Sequence, residues 1–305
     1  MECDPLLHVQ RKVTMEIVRI NEEKCTLCGL CIPDCVRGVL EEGEKAVRVA
    51  NPEYCIRCGH CKAICPVDAP ELPMLDALEF EPAPERENYP KTDELFSFFR
   101  ARRSIRQFEE RSVEREKLER IIQAGRFAPT GGNRQGLHYT VVHTPDKLSE
   151  VRDMNLDLLY RKAEDIERAF ERNSQTGEPV PQDYQVRKLY VNNWKTMKDL
   201  MGKGVDRLFY HAPALVALHI DPAWSTSAMV DAGLAAMQMV LMAEILELGT
   251  CFCGFFVFAV NESPEFKKIL NIPEDHIVPV SFVVGYPAVD YQRLVSRKPA
   301  RVNWL

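Results

Sequence analysis

Cys25-Thr26-Leu27-Cys28-Gly29-Leu30-Cys31-Ile32-Pro33-Asp34-Cys35 is answered further on by Cys55-Ile56-Arg57-Cys58-Gly59-His60-Cys61-Lys62-Ala63-Ile64-Cys65-Pro66. The two stretches repeat one spacing, C-x-x-C-x-x-C-x-x-x-C. They hold eight of the eleven cysteines of this 305-residue chain; the others are Cys3, Cys251 and Cys253. A secreted disulfide scaffold spreads its cysteines over a small domain rather than into two copies of one loop. Zinc needs four ligands per site, and eight cysteines supply two such sets. The full four-cysteine spacing, present twice, points instead to iron–sulfur chemistry.

The paired run resembles that of the bacterial ferredoxins, which binds two [4Fe–4S] clusters. Two residues between thiolates let a tight loop wrap three corners of a cubane. The fourth cysteine lies too far along to close the same cube, so it ligates the other cluster. The expected ligand sets are Cys25, Cys28, Cys31 and Cys65 for one cluster, and Cys55, Cys58, Cys61 and Cys35 for the other. Thr26, Gly29 and Gly59 leave room for backbone N–H groups to reach sulfur. Val36 stands where a proline usually follows the fourth cysteine, and Pro33 sits inside the run; neither change removes a ligand.

Residues 14–20 and 46–49 alternate like strands beside the cysteine loops. Six of the twenty prolines then fall between Pro66 and Thr92, which is the chemistry of a stiff linker. Leu72, Met74, Leu75, Leu78 and Phe80 in that stretch are expected to pack along a surface. The reading is a ferredoxin-like domain over 1–80, a linker over 81–91 and a second domain over 92–305.

Composition sets outer bounds. With 46% hydrophobic and 28% charged residues, wholesale disorder is excluded. The formal net charge is −6 and the pI about 5.8, which argues against nucleic acid as a partner. Residues 1–90 carry 17 acidic and 10 basic side chains (net −7), and the remainder 28 and 29 (net +1). The acidic excess of the cysteine-rich part fits exchange with a basic redox partner, and equally fits simple solubility. No apolar run is read as crossing a bilayer; the best stretch, 248–261, is too short. The first twenty residues lack the order of a secretory signal, so a cytoplasmic protein is expected.

The second domain reads as α+β in three layers. Helices are expected over 93–101, 114–127, 146–174, 185–206 and 227–248, with a loop over 173–182. Leu118, Ile121, Ile122 and Ala124 share one side of the second helix. Strands are expected over 137–142, 214–220 and 279–285, without a regular βαβ repeat. The Met/Ala-rich 228–245 stretch reads as core packed at a dimer seam.

Arg102-Arg103-Ser104-Ile105-Arg106 places three guanidinium groups and a hydroxyl within five residues. Arginine presents a rigid fork of donors that matches phosphate oxygens, although such a cluster is also an ordinary solvated surface. In Pro129-Thr130-Gly131-Gly132-Asn133-Arg134-Gln135, paired glycines let the backbone approach a flat ligand and the amides supply donors and acceptors. Arg297-Lys298 adds cationic charge near the end.

These motifs occur in order with Ala212-Pro213-Ala214, Leu248-Gly249-Thr250-Cys251-Phe252-Cys253-Gly254 and Gly285-Tyr286-Pro287. Over roughly residues 92–305 the sequence resembles the nitroreductase family of FMN enzymes, and the whole chain resembles a ferredoxin–nitroreductase fusion. The resemblance implies a homodimer with FMN at each subunit interface. Arg102, Ser104 and Arg106, with Arg103 beside them, would hold the FMN phosphate, ribityl and ring-edge oxygens. Pro129, Thr130, Gly131 and Asn133, with Gln135, would reach the flavin held mainly by the partner subunit. Cys253 and Gly254 would lie against the flavin ring through backbone atoms. Arg297, with Lys298, would close on the phosphate. The family often has Pro-Trp after the glutamine, where this chain has Gly136-Leu137. Its contacts from the segment near 204–209 find no clear match, so none is assigned there.

The expected chemistry is flavin-based, with no catalytic side chain. Two [4Fe–4S] clusters would deliver single electrons to FMN, which would reduce a small oxidised acceptor of nitroaromatic, quinone or enone type. The outside donor would be a redox protein or NAD(P)H. The alternatives are a relay serving a partner enzyme, or reductive processing of a flavin or halogenated aromatic. Cys251 and Cys253 read as packing behind the flavin, and His138, His211 and His219 as core or surface residues rather than bases. Gly202-Lys203-Gly204 lacks the setting of a phosphate loop. The 146–206 helices read as solvated, in a region that roofs the substrate pocket in the family.

Overall fold

The computed structural model describes residues 17–305. Cys3 and the start of the strand expected at 14–20 lie outside the described residues. The chain divides between Tyr89 and Pro90 into two units, and the break falls within the proline-rich segment.

The first unit is held by very short elements. Strand β1 (Arg19–Ile20) comes first, then β2 (Leu40–Glu41), β3 (Arg48–Val49), a single helical turn α1 (His60–Ala63) and β4 (Pro70–Glu71). β1 pairs antiparallel with β4, and β2 with β3. Val18, Val39, Leu40, Val47 and Leu72 form its core, with Phe80 packed against them. The stretch after Pro66, expected as linker chemistry, therefore supplies a strand and a core residue before the chain leaves the unit. β2 and β4 show no alternation in the sequence because two residues carry no period.

The two cysteine runs share one backbone shape. Leu27 and Arg57 both have positive φ (58° and 55°), as do Gly29 and Gly59 (73° and 76°) and Gly38 and Asp68 (61° and 53°). A non-glycine residue in this region is uncommon. Its recurrence at matching positions shows that loop geometry is set by the cysteine spacing rather than by residue type.

The second unit places helices on both faces of one antiparallel sheet. It begins with α2 (Thr92–Ala101) and α3 (Arg115–Arg126), followed by β5 (His138–Val142) and the long α4 (Pro145–Thr176). Next come α5 (Gln182–Arg187), α6 (Val191–Met201), β6 (Ala214–Ile220) and α7 (Ala228–Ile245). The unit closes with β7 (Gly249–Phe252), α8 (Gly254–Glu262), α9 (Pro264–Ile269) and β8 (Ile277–Gly285). The sheet order is β5-β6-β8-β7, every pair antiparallel.

All seven residues of β6 are buried, as expected of a central strand covered on both faces. Leu215 and Ala217 face one core with α4, α6 and α8; Ala214, Val216 and Leu218 face the other with α3 and α7. This is the three-layer α+β arrangement.

Several sequence expectations are corrected here. The single helix expected over 185–206 is α5, a 3-10 turn and α6, followed by a turn rather than helix. The 248–261 stretch holds β7 and most of α8, while α9 was not anticipated at six residues long. Among the described residues, the helix long and apolar enough to cross a membrane by length and composition is α7, not that stretch. In the fold, α7 buries Ala232, Ala235, Ala236, Met239, Val240 and Ala243.

Candidate functional site

In the first unit the cysteines collect into two cavities. One is lined by Cys25, Cys28, Cys31 and Cys65 with Ile20, Val47 and Ala69. The other is lined by Cys35, Cys55, Cys58 and Cys61 with Val18, Val39 and Leu72. Each fourth cysteine thus crosses to the opposite loop, and none of the eight is in a disulfide. Backbone N–H groups already point at sulfur: Val39 donates to Cys35 Sγ (3.4 Å), Ala69 to Cys65 Sγ (3.3 Å) and Val47 to Cys25 Sγ (3.5 Å). The first two bonds are the same turn in each run, so Val36 supports the geometry that Pro66 supports.

Burial pushes the Cys61 thiol up to about 11, against a backbone hydrogen bond from Lys62, with repulsion from Cys58 and Cys55 adding to the rise. Four bare thiolates are unfavourable in such a pocket. Cationic iron would supply the charge that holds them deprotonated. The donor set, apolar lining and N–H···S bonds all fit an iron–sulfur cluster in each cavity.

In the second unit the main feature is a cleft of about 1040 Å³. One wall comes from α5, the following turn and α6 (Arg187, Tyr190, Trp194). Another comes from the end of β7 and the start of α8 (Phe252, Cys253, Gly254, Phe255, Phe258), and the rest from Arg106, Arg207, Leu208 and Tyr210. The rings interlock: Trp194 stacks on Phe258 at 5.4 Å, and Tyr190 meets Phe255 edge-on at 5.5 Å.

Arg106 is held in place by main-chain pairing. Ser104 bridges Thr250, the Ile105 N–H donates to the Thr250 carbonyl (2.9 Å), and Ala288 N–H donates to the Gln107 carbonyl (3.0 Å). Residues 104–105 thus run along β7, and 107–109 along the 286–288 stretch that follows β8. Gly249 permits the approach, since a Cβ there would lie 2.4 Å from Ile105 Cγ1.

Asp206 organises the other cationic corner. Its buried carboxylate accepts from the N–H groups of Leu208 (2.8 Å), Phe209 (2.9 Å) and His211 (3.1 Å). Tyr210 and His211 both take positive φ in this turn, which turns Arg207, Leu208 and Tyr210 toward the cleft. Burial holds the Tyr210 phenol above its ordinary range, with Arg106 pulling the other way. Burial likewise raises the Cys253 thiol, and its Sγ lies 3.4 Å from the Cys251 carbonyl. That leaves a neutral, packed thiol rather than a nucleophile.

The cleft gathers Arg106, Cys253 and Gly254 from the residues singled out in the sequence. Arg103 stacks on Tyr291 with its Cζ 3.5 Å from the ring centroid, and its Nε is buried with no hydrogen-bond partner among the described residues. Arg102 acts on Glu244, whose carboxyl is raised by burial and lowered in part by that charge. Pro129, Thr130, Gly131, Asn133 and Gln135 are not among the cleft's lining residues. Their turn is fastened to the start of α7, where Asp231 accepts from the Gly131 N–H (3.0 Å) and from Ser225 Oγ (2.8 Å). Arg297 and Lys298 are exposed and line no part of the cleft.

Arg187, Tyr190, Trp194, Arg207, Tyr210 and Phe255 belong to the cleft but were not anticipated. The region holding Arg187, Tyr190 and Trp194 was expected to roof the pocket, but its helices read as solvated, and the aromatic residues of the 190–194 and 252–258 stretches were the signal for individual positions.

Residues 99–286 match the model of the nitroreductase family. The chain belongs to that family. Residues 17–66 match the 4Fe-4S dicluster domain, so a ferredoxin domain precedes the nitroreductase domain. A protein of Archaeoglobus fulgidus, provisionally named an NADH dehydrogenase/NAD(P)H nitroreductase, is 33% identical over 61 residues, 20% of this chain and 35% of that protein. An uncharacterized ferredoxin of Methanocaldococcus jannaschii is 43% identical over 58 residues, 18% of this chain and 36% of that protein. The chain thus spans about a third of the length of both relatives. Among solved structures, a nitroreductase with bound FMN from Desulfitobacterium hafniense shares the fold. It is 24% identical with a TM-score of 0.50, covering 68% of this chain and 97% of that one.

Proposed function

We propose that this nitroreductase-family protein is an FMN-dependent oxidoreductase, fed by two [4Fe–4S] clusters, that reduces a small planar acceptor of nitroaromatic, quinone or enone type. The observation that carries the reading is the open aromatic and cationic cleft around Arg106 and Cys253–Gly254, in the same chain as two four-cysteine cavities. A cleft of about 1040 Å³ lies at the top of the usual range for ligand sites, roughly 300–1,000 Å³. It therefore has room for a cofactor and an acceptor together, which favours an enzyme over a closed relay.

FMN, when bound, converts single-electron delivery into two-electron reduction of an acceptor. Arg106, with Ser104 on the same segment, would hold its phosphate and ribityl oxygens; Arg102, Arg103, Arg297 and Lys298 line no part of the cleft in one subunit and would close on the phosphate only as the flavin binds. The backbone of Cys253 and Gly254 would lie against the ring. Arg106 would stabilise the negative charge that gathers on the ring edge during reduction. The surrounding aromatic side chains exclude water, and solvent at the open mouth supplies protons.

A second copy of the chain completes the site. Pro129, Thr130, Gly131, Asn133 and Gln135 lie away from the cleft of their own subunit, so their contact with flavin would be made across a homodimer interface. The exposed Met229, Val230, Leu234, Met237 and Ile245 of α7 supply an apolar face for that interface.

The test is anaerobic. The purified protein is assayed for iron and flavin, then given a reduced redox protein or NAD(P)H separately, with and without a nitroaromatic. The expected result is about eight irons per chain and bound FMN that bleaches with the effective donor and recovers as the nitro compound is consumed. Iron without flavin binding would overturn the oxidoreductase reading.

A further inference from the structure

Three guanidinium groups face the cleft, those of Arg106, Arg187 and Arg207, and no aspartate or glutamate lines it. Among the described residues none of the three is paired with a carboxylate. Lys162, near the same rings, is different: its Nζ lies 3.1 Å from Glu262 Oε2. Arg106 and Arg207 sit at one corner, tied to Tyr210 by a cation–π contact of 6.0 Å and by the Asp206 turn respectively. Arg187 comes from α5 on the other wall. Its Cζ stacks 4.4 Å from the Phe258 ring centroid.

A guanidinium stacked on a ring face has its position fixed while its in-plane N–H donors stay free. That arrangement suits a carboxylate approaching edge-on. A flavin brings one phosphate, for which Arg106 and Arg207 already offer two guanidinium groups at the opposite corner. The charge of Arg187 is then surplus to the cofactor and lies beside the rings on which a planar acceptor would stack.

We propose that the acceptor reduced by this protein is a planar aromatic or enone compound carrying a carboxylate, and that Arg187 is the residue that selects it. This rests on the reading of the cleft as a flavin and acceptor site.

The test uses the FMN-loaded protein with its clusters, held anaerobic. It is titrated with benzoate and with benzamide, which match in shape, differ in charge and are not reduced. Binding is read by calorimetry and by perturbation of the flavin spectrum. Benzoate is expected to bind about tenfold more tightly than benzamide, the worth of one charge-assisted hydrogen bond. Arg187→Gln is expected to bring the two within about twofold of each other while flavin content stays the same. Arg187→Lys keeps an intermediate preference and guards against a misfolded glutamine variant.

Equal binding of the two probes to the unaltered protein, or no binding of either, overturns the proposal. So does a preference that survives in Arg187→Gln. Loss of flavin in that variant would make Arg187 a cofactor ligand. A loss confined to NADH binding would assign it to the donor. If the protein takes up no flavin, the proposed function fails first and this proposal falls with it. Flavin-loaded protein that treats both probes alike sinks only the acceptor assignment.

Discussion

In the first unit, eight cysteines lying between Cys25 and Cys65 form both cavities, and the elements around them are two-residue strands and single helical turns. In the second unit, the cleft draws on four separate segments: Arg106, the α5–α6 stretch, the 207–210 turn, and the run from the end of β7 into α8. The difference is one of how geometry is enforced. Metal–thiolate bonds need correct spacing and little supporting fold, so a small core suffices. A cleft held by packing and hydrogen bonds needs long helices and a buried sheet to bring distant residues together. Damage to the first site should therefore be local and all-or-none, and damage to the second graded and dependent on residues outside the cleft.

The largest effect should come from Cys58→Ala. One cavity loses a ligand, iron should fall from about eight to about four per chain, and flavin content should be unchanged; iron and flavin assays on the same sample check this. Loss of flavin as well would break the contrast between the units.

Asp206→Ala comes next. Three N–H groups lose a buried charged acceptor, for a cost of about 3 kcal/mol in stability, and FMN affinity should fall although Asp206 is not among the cleft's lining residues. Thermal unfolding and a flavin titration would show it.

A comparable effect should appear with pH. Burial, then the neighbouring His276 and His138, hold His219 down to about 4 from its ordinary 6.5. His219 Nδ1 lies 2.8 Å from His276 Nδ1, and its Nε2 lies 3.2 Å from Thr140 Oγ1. The nearby cation is Lys267, whose Nζ donates to the carbonyls of His276 (2.7 Å) and Glu274 (2.8 Å). The unfolded chain binds a proton between pH 6.5 and 4 that the folded one refuses. Stability from this group is full above 6.5 and falls as pH drops toward 4, by at most about 3 kcal/mol. Melting curves of the holoprotein and of His219→Asn across this range should converge at the acid end. Parallel curves would remove His219 as the cause.

Gly249→Ala should cost less, about 1–2 kcal/mol from overpacking against Ile105, with weaker flavin binding as Arg106 shifts. Val36→Pro should have the smallest effect. The turns after Cys35 and Cys65 match, and the Val36 N–H makes no hydrogen bond among the described residues. The substitution should raise stability by up to about 1 kcal/mol; a loss would show that the two turns differ more than their hydrogen bonds indicate.

The cysteine spacing by itself determined which four cysteines line each cavity of the first unit, including the crossing of the fourth cysteine to the other loop. That information is local: a cubane fixes how many residues lie between its corners. The sequence by itself also marked the central strand over 214–220, the apolar helix beneath it and the segment carrying Arg106, because burial and cationic clustering leave a direct trace in composition. Only the tertiary structure decided which residues form the cleft. Arg187 and Tyr190 sit in a polar stretch whose inward face is set by how α5 and α6 break and pack. Arg207 is turned inward by Asp206, an acid with no distinguishing motif. The Pro129–Gln135 turn is carried away from the cleft by its bond to Asp231, one hundred residues from Gly131 in the chain. Contacts over such separations depend on the summed packing of whole elements, and no short window of sequence records them.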